Sequence, residues 1–156
     1  HEHNPFQCNL GYQVSLSGKG QWNKQNDYVG KEALEKMREQ LKNGEKPYKL
    51  QLVGLEFGGK PVEDYANDFW LISNEKAGKP VGFITSPWYH PEKGTNIAMG
   101  YVPYEGNLNS NGFPTGNFGK KYKVHLPQKY SAKPVNATVV PLPFTESVNA
   151  NTREVK

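Results

Sequence analysis

The chain has 156 residues, enough for about one domain with a single hydrophobic core. Hydrophobic residues make up 35% of the sequence, and no apolar run approaches the roughly 18 residues that a membrane-spanning helix needs, so a transmembrane segment is excluded. The formal net charge of +4 comes from 19 Lys and Arg against 15 Asp and Glu, and only Arg38 and Arg153 are arginines, a dispersed lysine-rich charge that argues against a nucleic-acid groove.

The segment 31–42 carries the helical pattern of the sequence. Its apolar residues share one side of a 3.6-residue period: Ala33, Leu34, Met37 and Leu41. Asn43-Gly44, followed by Pro47, is a stop signal because glycine accepts the left-handed conformation of a helix cap and proline cannot continue the hydrogen-bond ladder. We therefore expect one helix, over about residues 30–43.

The sequence from residue 47 to residue 144 has the patterns of strands separated by connections rich in Asn, Gly and Pro. Six segments are predicted as strands: Tyr48–Phe57, Phe69–Ser73, Val81–Ser86, Asn96–Val102, Lys121–Leu126 and Pro134–Val140. The first of them is apolar on both sides, which is typical of a central strand. Six strands and one N-terminal linking helix predict a mainly β fold, a small antiparallel β-barrel or a sandwich.

Composition divides the chain into three parts. We expect residues 1–46 to be a linker segment with the helix, residues 47–144 to form the β domain, and residues 145–156 to be a polar tail. Within the β domain, Glu105–Gly119 is rich in Asn and Gly with scattered apolar residues. This composition predicts a long mobile loop.

Residue spacing identifies no catalytic centre and no metal site. Cys8, the single cysteine, excludes an internal disulfide, and it lies among apolar residues with no helix start after it, so we expect a small buried side chain rather than a nucleophile. The carboxylates of Glu63-Asp64 and Asp68 lie in a connection where solvation is expected. His125 alternates with inward-facing residues, which predicts a solvated outer position. Trp88-Tyr89-His90-Pro91 is predicted as a turn.

Six segments, in order along nearly the whole chain, resemble motifs from the C-terminal part of the glycine-cleavage T-protein (aminomethyltransferase) family. They are Asn4–Val14, Asp27–Leu34, Leu52–Glu56, Gly78–Ser86, Asn96–Val102 and Ala137–Phe144. Asp27–Leu34 is similar to D-F-I/V-G-K-E-A-L at the head of the family's linking helix, and Gly78–Ser86 is similar to G-x-x-V-G-x-I/V-T-S. The resemblance implies the C-terminal β-barrel of that family, in agreement with the number of predicted strands.

The resemblance also implies a function. Members of the family carry out tetrahydrofolate-dependent one-carbon transfer, either aminomethyl transfer in the glycine cleavage system or, in relatives, demethylation of small methylated substrates. The chain would then be a C-terminal domain that closes the folate and substrate cleft formed by an N-terminal part of the same enzyme or by a partner chain. The catalytic carboxylate and most folate contacts of such enzymes belong to that N-terminal part, so this chain alone is not expected to be catalytic.

Three residues are candidate cofactor contacts under this resemblance. Arg153-Glu154-Val155 resembles the R-E-V ending of some members, whose arginine approaches the acidic tail of the folate, and a guanidinium fork suits a carboxylate. A solvated arginine in a frayed tail is the alternative. Thr85–Pro91 departs from the family's T-S-G pattern, which favours a divergent demethylase or methyltransferase relative. Within it, Trp88 and Tyr89 either face the cleft or pack in the core.

Two other classes of function remain open at the level of sequence. A stand-alone barrel could bind glycans or single-stranded nucleic acid by stacking on exposed Trp22, Trp70 and Trp88. A purely structural interaction domain would pair with another chain and bind no small ligand. No secretory signal is recognisable, and the expected location is the cytoplasm, or the mitochondrial matrix in a eukaryote.

Overall fold

The computed structural model describes residues 3–14, 28–76 and 78–144. Its elements are a 3₁₀ helix at Gly11–Gln13, α1 at Lys31–Lys42, β1 at Leu50–Phe57, β2 at Trp70–Ser73, β3 at Pro80–His90, β4 at Thr95–Pro103, β5 at Lys121–Val124 and β6 at Val135–Val140. All six predicted strands are present, and their ends agree with the sequence pattern to within a few residues. The mainly β class with one α-helix among the described residues is confirmed.

α1 forms where the apolar period predicts it. Its residue Leu41 is buried in a cluster with Phe6 and Tyr104. The helix is capped by Asn43, and Gly44 adopts φ 77°, the left-handed conformation that the predicted stop requires. The sequence therefore sets both the inner side of this helix and its end.

The six strands form a closed barrel in the order β1-β4-β3-β2-β5-β6. Every strand pair with a described register is antiparallel, and β6 returns to β1, where Leu55 lies opposite Val139. Closure gives each described strand two neighbours, so that none presents a free edge to another chain. The predicted antiparallel β-barrel is confirmed.

The barrel interior is filled by the inward side chains of all six strands. Leu55, Ile72, Ile84 and Val124 are at most 1% exposed, and burial of such apolar surface stabilises a fold by about 25 cal/mol per Å². β3 and β4 approach closely beside this core. A Cβ added at Gly82 would run into the backbone carbonyl of its β4 neighbour Tyr101, so only glycine fits there.

β3 extends beyond its predicted end. The segment Trp88-Tyr89-His90, predicted as a turn, continues the strand and pairs with Thr95–Ile97 of β4. The prediction was wrong because Pro87 is normally a strand breaker. Here the N–H of Tyr89 donates to the carbonyl of Val62 at 2.9 Å, outside the strand ladder. The donor that Pro87 lacks would point to that same side, where β2 no longer accompanies β3.

The chain divides into two compact units. One comprises His1–Gln51 with Tyr104–Thr115, and the other comprises Leu52–Pro103 with Gly116–Lys156. Within the first unit the N–H of Tyr104 donates to the carbonyl of Lys49 at 2.9 Å, which ties the connection after β4 to the N-terminal segment. No described helix has the length and apolar content needed to span a bilayer.

Candidate functional site

Two of the three candidate cofactor contacts, Trp88 and Tyr89, lie among the described residues. They project from opposite faces of β3. A bulge between Ile84 and Ser86 shifts the register of β3 against β4. Beyond the bulge Trp88 lies opposite Ile97 and is 51% exposed, so core packing, one of its two predicted alternatives, is wrong. Tyr89 is half-buried. Because adjacent strand residues point to opposite faces, the two rings cannot stack on one molecule together.

An exposed apolar surface covers the outer side of β2, β3 and β4. We call it the outer apolar face, and its side chains are Phe69, Leu71, Phe83 and Met99, whereas the neighbouring ring of Tyr101 is buried. The rings of Phe69 and Phe83 stack with their centroids 5.2 Å apart, and the centroid of Phe83 lies 5.3 Å from that of Tyr101. Phe69 is 66% exposed, Leu71 48% and Met99 39%. Three neighbouring strands thus hold one row of apolar side chains toward solvent.

Local patterning misses this face because its residues meet only through strand register. Phe83 lies opposite Leu71 on β2 and opposite Tyr101 on β4. One signal was available in the sequence, since Phe69 and Leu71 flank the inward Trp70 and put two large apolar side chains on the outward side of a short strand.

Asn96 is a buried polar residue that fixes the turn beside Tyr89. Its Oδ1 accepts the N–H of Val62 at 2.9 Å, and its Nδ2 donates to the carbonyls of Gly58 and Lys60 at 3.3 and 3.1 Å. Asn96 is 2% exposed and Val62 is fully buried, so the amide satisfies a backbone N–H that water does not reach. Since Val62 also accepts the N–H of Tyr89, this amide positions the end of β3.

Ser73 and His125 form a hydrogen-bonded pair, with 2.9 Å between Ser73 Oγ and His125 Nε2. The prediction that His125 is simply solvated was therefore wrong, since its ring is partly buried against a serine that is fully buried. A hydroxyl beside an imidazole is the arrangement of a nucleophile and its base. Ser73 is closed off from any substrate, however, so the pair joins β2 to the segment after β5 and is structural.

The carboxylate of Asp64 forms an exposed ion pair. Its Oδ2 lies 2.7 Å from Lys129 Nζ, and it also accepts the hydroxyl of Tyr130 at 3.4 Å. The hydrogen bond and charge of Lys129 lower the pKa of Asp64, and the same hydrogen bond raises the pKa of Lys129. A carboxylate kept ionised in open solvent is poorly suited to donate a proton, so this pair offers no acid-base centre.

The first unit holds a polar cluster around Gln51, which is fully buried. Gln51 Nε2 donates to Asn9 Oδ1 at 2.6 Å, and its Oε1 accepts the hydroxyl of Tyr48 at 3.0 Å. Burial raises the pKa of Tyr48, and the nearby Tyr104 and Cys8 raise it further. Cys8 is only partly buried, less than its sequence context predicts. Gln51 is satisfied by protein groups, which is typical of a structural network.

The remaining candidates are either buried or outside the described residues. Trp70 is 7% exposed and packs edge-to-face on Phe57 in the barrel core, with 6.5 Å between ring centroids, so its predicted role as an exposed stacking surface is wrong. Trp22 and Arg153 lie outside the described residues. Within residues 3–14, 28–76 and 78–144, no three or more His, Cys, Asp and Glu side chains are grouped to hold a metal ion.

Comparison with known proteins places this barrel in a family. The model of the "Glycine cleavage T-protein C-terminal barrel domain" matches residues 51–146. An aminomethyltransferase of Desulforamulus reducens is 32% identical over 142 residues, which cover 90% of this chain and 30% of the relative. An aminomethyltransferase of Synechocystis sp. is 34% identical over 104 residues, which cover 67% of this chain and 23% of the relative.

The solved structures give the same fold. The crystal structure of glycine cleavage system aminomethyltransferase T from Bartonella henselae matches 91% of this chain and 32% of that chain, with a TM-score of 0.56 and 21% identity. This chain thus spans less than a third of the length of each of these relatives. The family match over the barrel, together with the closed six-stranded topology, shows that the chain belongs to the family of glycine cleavage T-protein C-terminal barrel domains.

Proposed function

We propose that this chain is the C-terminal barrel of a tetrahydrofolate-dependent enzyme that transfers an aminomethyl or methyl group, or demethylates a small methylated substrate. The observation that carries the proposal is the family match over residues 51–146, supported by curated relatives that are aminomethyltransferases. The chain would act with an N-terminal part of the same enzyme, in the cytoplasm or the mitochondrial matrix.

The role of the barrel in this proposal is to close one side of the cleft that holds folate and substrate. The described residues support an indirect role, because Ser73 is fully buried and Asp64 is engaged in a solvent-exposed ion pair. Neither side chain is positioned to exchange protons with a bound substrate. The groups that carry out the transfer would then come from the N-terminal part.

The exposed ring of Trp88 fits the proposed cofactor. An indole that is half exposed on a rigid strand can stack on a flat heterocycle such as the pterin ring. Tetrahydrofolate, when bound, supplies the nitrogen atoms that accept the one-carbon unit. We propose Trp88 as a contact to its ring system and Arg153 as a contact to its acidic tail, where a guanidinium pairs with a carboxylate in two parallel hydrogen bonds. Tyr89 would support this surface from the inner side of β3.

The test uses a fusion enzyme, defined as the Desulforamulus reducens aminomethyltransferase with this chain in place of its matching 142 residues. Calorimetric titration with tetrahydrofolate should give binding by the fusion enzyme and none by this chain alone. Trp88→Leu should weaken binding by the fusion enzyme about 5-fold, since an aromatic contact contributes roughly 1 kcal/mol.

Phe118→Leu is the matched control, because Phe118 is 54% exposed and lies near the end of β6, across the barrel from β3. It should leave binding unchanged. Tight binding by the isolated chain, or a folded fusion enzyme that binds no tetrahydrofolate, would contradict the proposal.

A further inference from the structure

The outer apolar face is a preformed surface without charge. The outward positions of β3 from Phe83 to Trp88, and those of β4 from Ile97 to Tyr101, carry no charged side chain. A contiguous apolar patch of this kind on a soluble domain marks an interaction site. The outer side of the barrel thus offers a partner a wholly uncharged stretch on two adjacent strands.

The face is also rigid. Phe83 and Tyr101 are cross-strand neighbours in the hydrogen-bonded ladder, and Phe69 stacks on Phe83 with an interplanar angle of 24°. Aromatic side chains already fixed in this way lose little conformational entropy on binding. Aromatic residues, phenylalanine included, are enriched in the buried core of protein interfaces.

The opposite side of the barrel has different chemistry. All outward positions of β5 and β6 except Val140 are polar: Lys121, Lys123, Asn136 and Thr138. Lys123 Nζ donates to Asn136 Oδ1 at 2.6 Å, as expected of a surface in water. The grouped apolar side chains of neighbouring strands thus lie on the side formed by β2, β3 and β4, and a partner would cover that side.

The lengths of the relatives show that further polypeptide is available to cover this face. The chain matches 30% of the Desulforamulus reducens relative, so about 70% of such a polypeptide lies outside it. We propose that the outer apolar face docks onto the polypeptide that precedes the barrel in these enzymes, with Phe69, Leu71 and Phe83 at the centre of the interface. This inference rests on the proposed function, and it names the barrel surface that would contact the N-terminal part of the enzyme.

Docking can be measured by hydroxyl-radical footprinting with mass spectrometry, on this chain alone and on the fusion enzyme. Oxidation of Phe69 and Met99 should be about 5-fold slower or more in the fusion enzyme, because the core of an interface excludes water. Phe118, across the barrel, should be oxidised at the same rate in both proteins. Equal oxidation of Phe69 in the two proteins would overturn the inference.

A double substitution tests the same surface without touching the core. Phe69→Ser with Leu71→Ser removes two exposed side chains and should return the oxidation rate of Met99 in the fusion enzyme to within about 2-fold of its rate in the isolated chain. Phe118→Ser should leave Met99 protected. If Met99 stays protected in the double variant, the face does not hold the interface.

The docking inference and the proposed function fail in different ways. Protection of Phe69 in a fusion enzyme that binds no tetrahydrofolate would keep the docking surface and refute the function. Tetrahydrofolate binding by a fusion enzyme in which Phe69 is as reactive as in the isolated chain would keep the function and refute the docking surface.

Discussion

Asn96→Ala is predicted to destabilise the barrel far more than an ordinary polar substitution. The substitution removes the acceptor for the N–H of Val62 and the donor for the carbonyls of Gly58 and Lys60. Three hydrogen bonds at roughly 1 kcal/mol each give a loss of about 3 kcal/mol in the free energy of unfolding. Water cannot replace the bond to the N–H of Val62, because that group lies in the interior. Val62 is fully buried in the barrel core, so that site stays dry.

The free energy of unfolding is measured by urea titration with tryptophan fluorescence. Trp70 is a suitable reporter because it is buried in the same core, 5.6 Å from the ring of Tyr130. Asn136→Ala is the matched control, since Asn136 is an exposed strand asparagine and its loss should change the free energy by less than about 0.5 kcal/mol. If Asn96→Ala costs no more than Asn136→Ala, the buried amide is not the anchor of this turn.

A second variant separates the two halves of the amide. Asn96→Asp keeps an acceptor for the N–H of Val62 but turns the other oxygen toward the carbonyls of Gly58 and Lys60. Burial and these carbonyls should raise the pKa of the new carboxyl above its unfolded value. The variant should therefore be destabilised at neutral pH and regain stability as the pH falls toward 4. A stability difference from the parent that does not change with pH would contradict this reasoning.

Two further predictions follow from the barrel and its surface. Gly82→Ala should prevent folding or lower the free energy of unfolding by several kcal/mol, because the added Cβ meets the carbonyl of Tyr101. Gly58→Ala is the control and should be tolerated, since its Cβ comes no nearer than 4.0 Å to another side chain. Equal thermal unfolding of the two variants would contradict the close approach of β3 and β4. Lys129→Gln should raise the pKa of Asp64 toward its ordinary value in a carboxyl NMR titration. Because the pKa of Asp64 is lowered in the folded parent protein, the small stabilisation by this ion pair should be present at neutral pH and lost as the pH falls through the folded-state pKa. An unchanged titration of Asp64 in the variant would exclude Lys129 as the cause.

The features that local patterns encode are the features that sequence predicts well. α1 follows from its apolar period and from the stop at Asn43-Gly44, and the strands follow from alternation. The extension of β3 through Pro87 is not encoded locally. It depends on β2 ending before it reaches Pro87, so that no neighbouring strand needs the N–H that proline lacks. A proline at such a position is compatible with a strand although its sequence context predicts a turn.

The site depends on contacts between distant segments, and these are hidden in the sequence. Phe83 meets Leu71 and Tyr101 only through strand register, and Ser73 reaches His125 across 52 residues. A one-residue bulge decides that Trp88 faces outward, and no local pattern specifies where a bulge falls. Family motifs identify the domain, but the exposed apolar surface on β2, β3 and β4 is visible only in the three-dimensional structure.

Turnover by the fusion enzyme tests the proposed function most directly. Aminomethyl transfer to tetrahydrofolate should be measured for the fusion enzyme and for the 156-residue chain alone, at equal concentrations. A barrel that completes a cleft built by other polypeptide should give transfer by the fusion enzyme and none by the isolated chain. Transfer catalysed by the isolated chain, or a folded fusion enzyme without activity, would contradict this role.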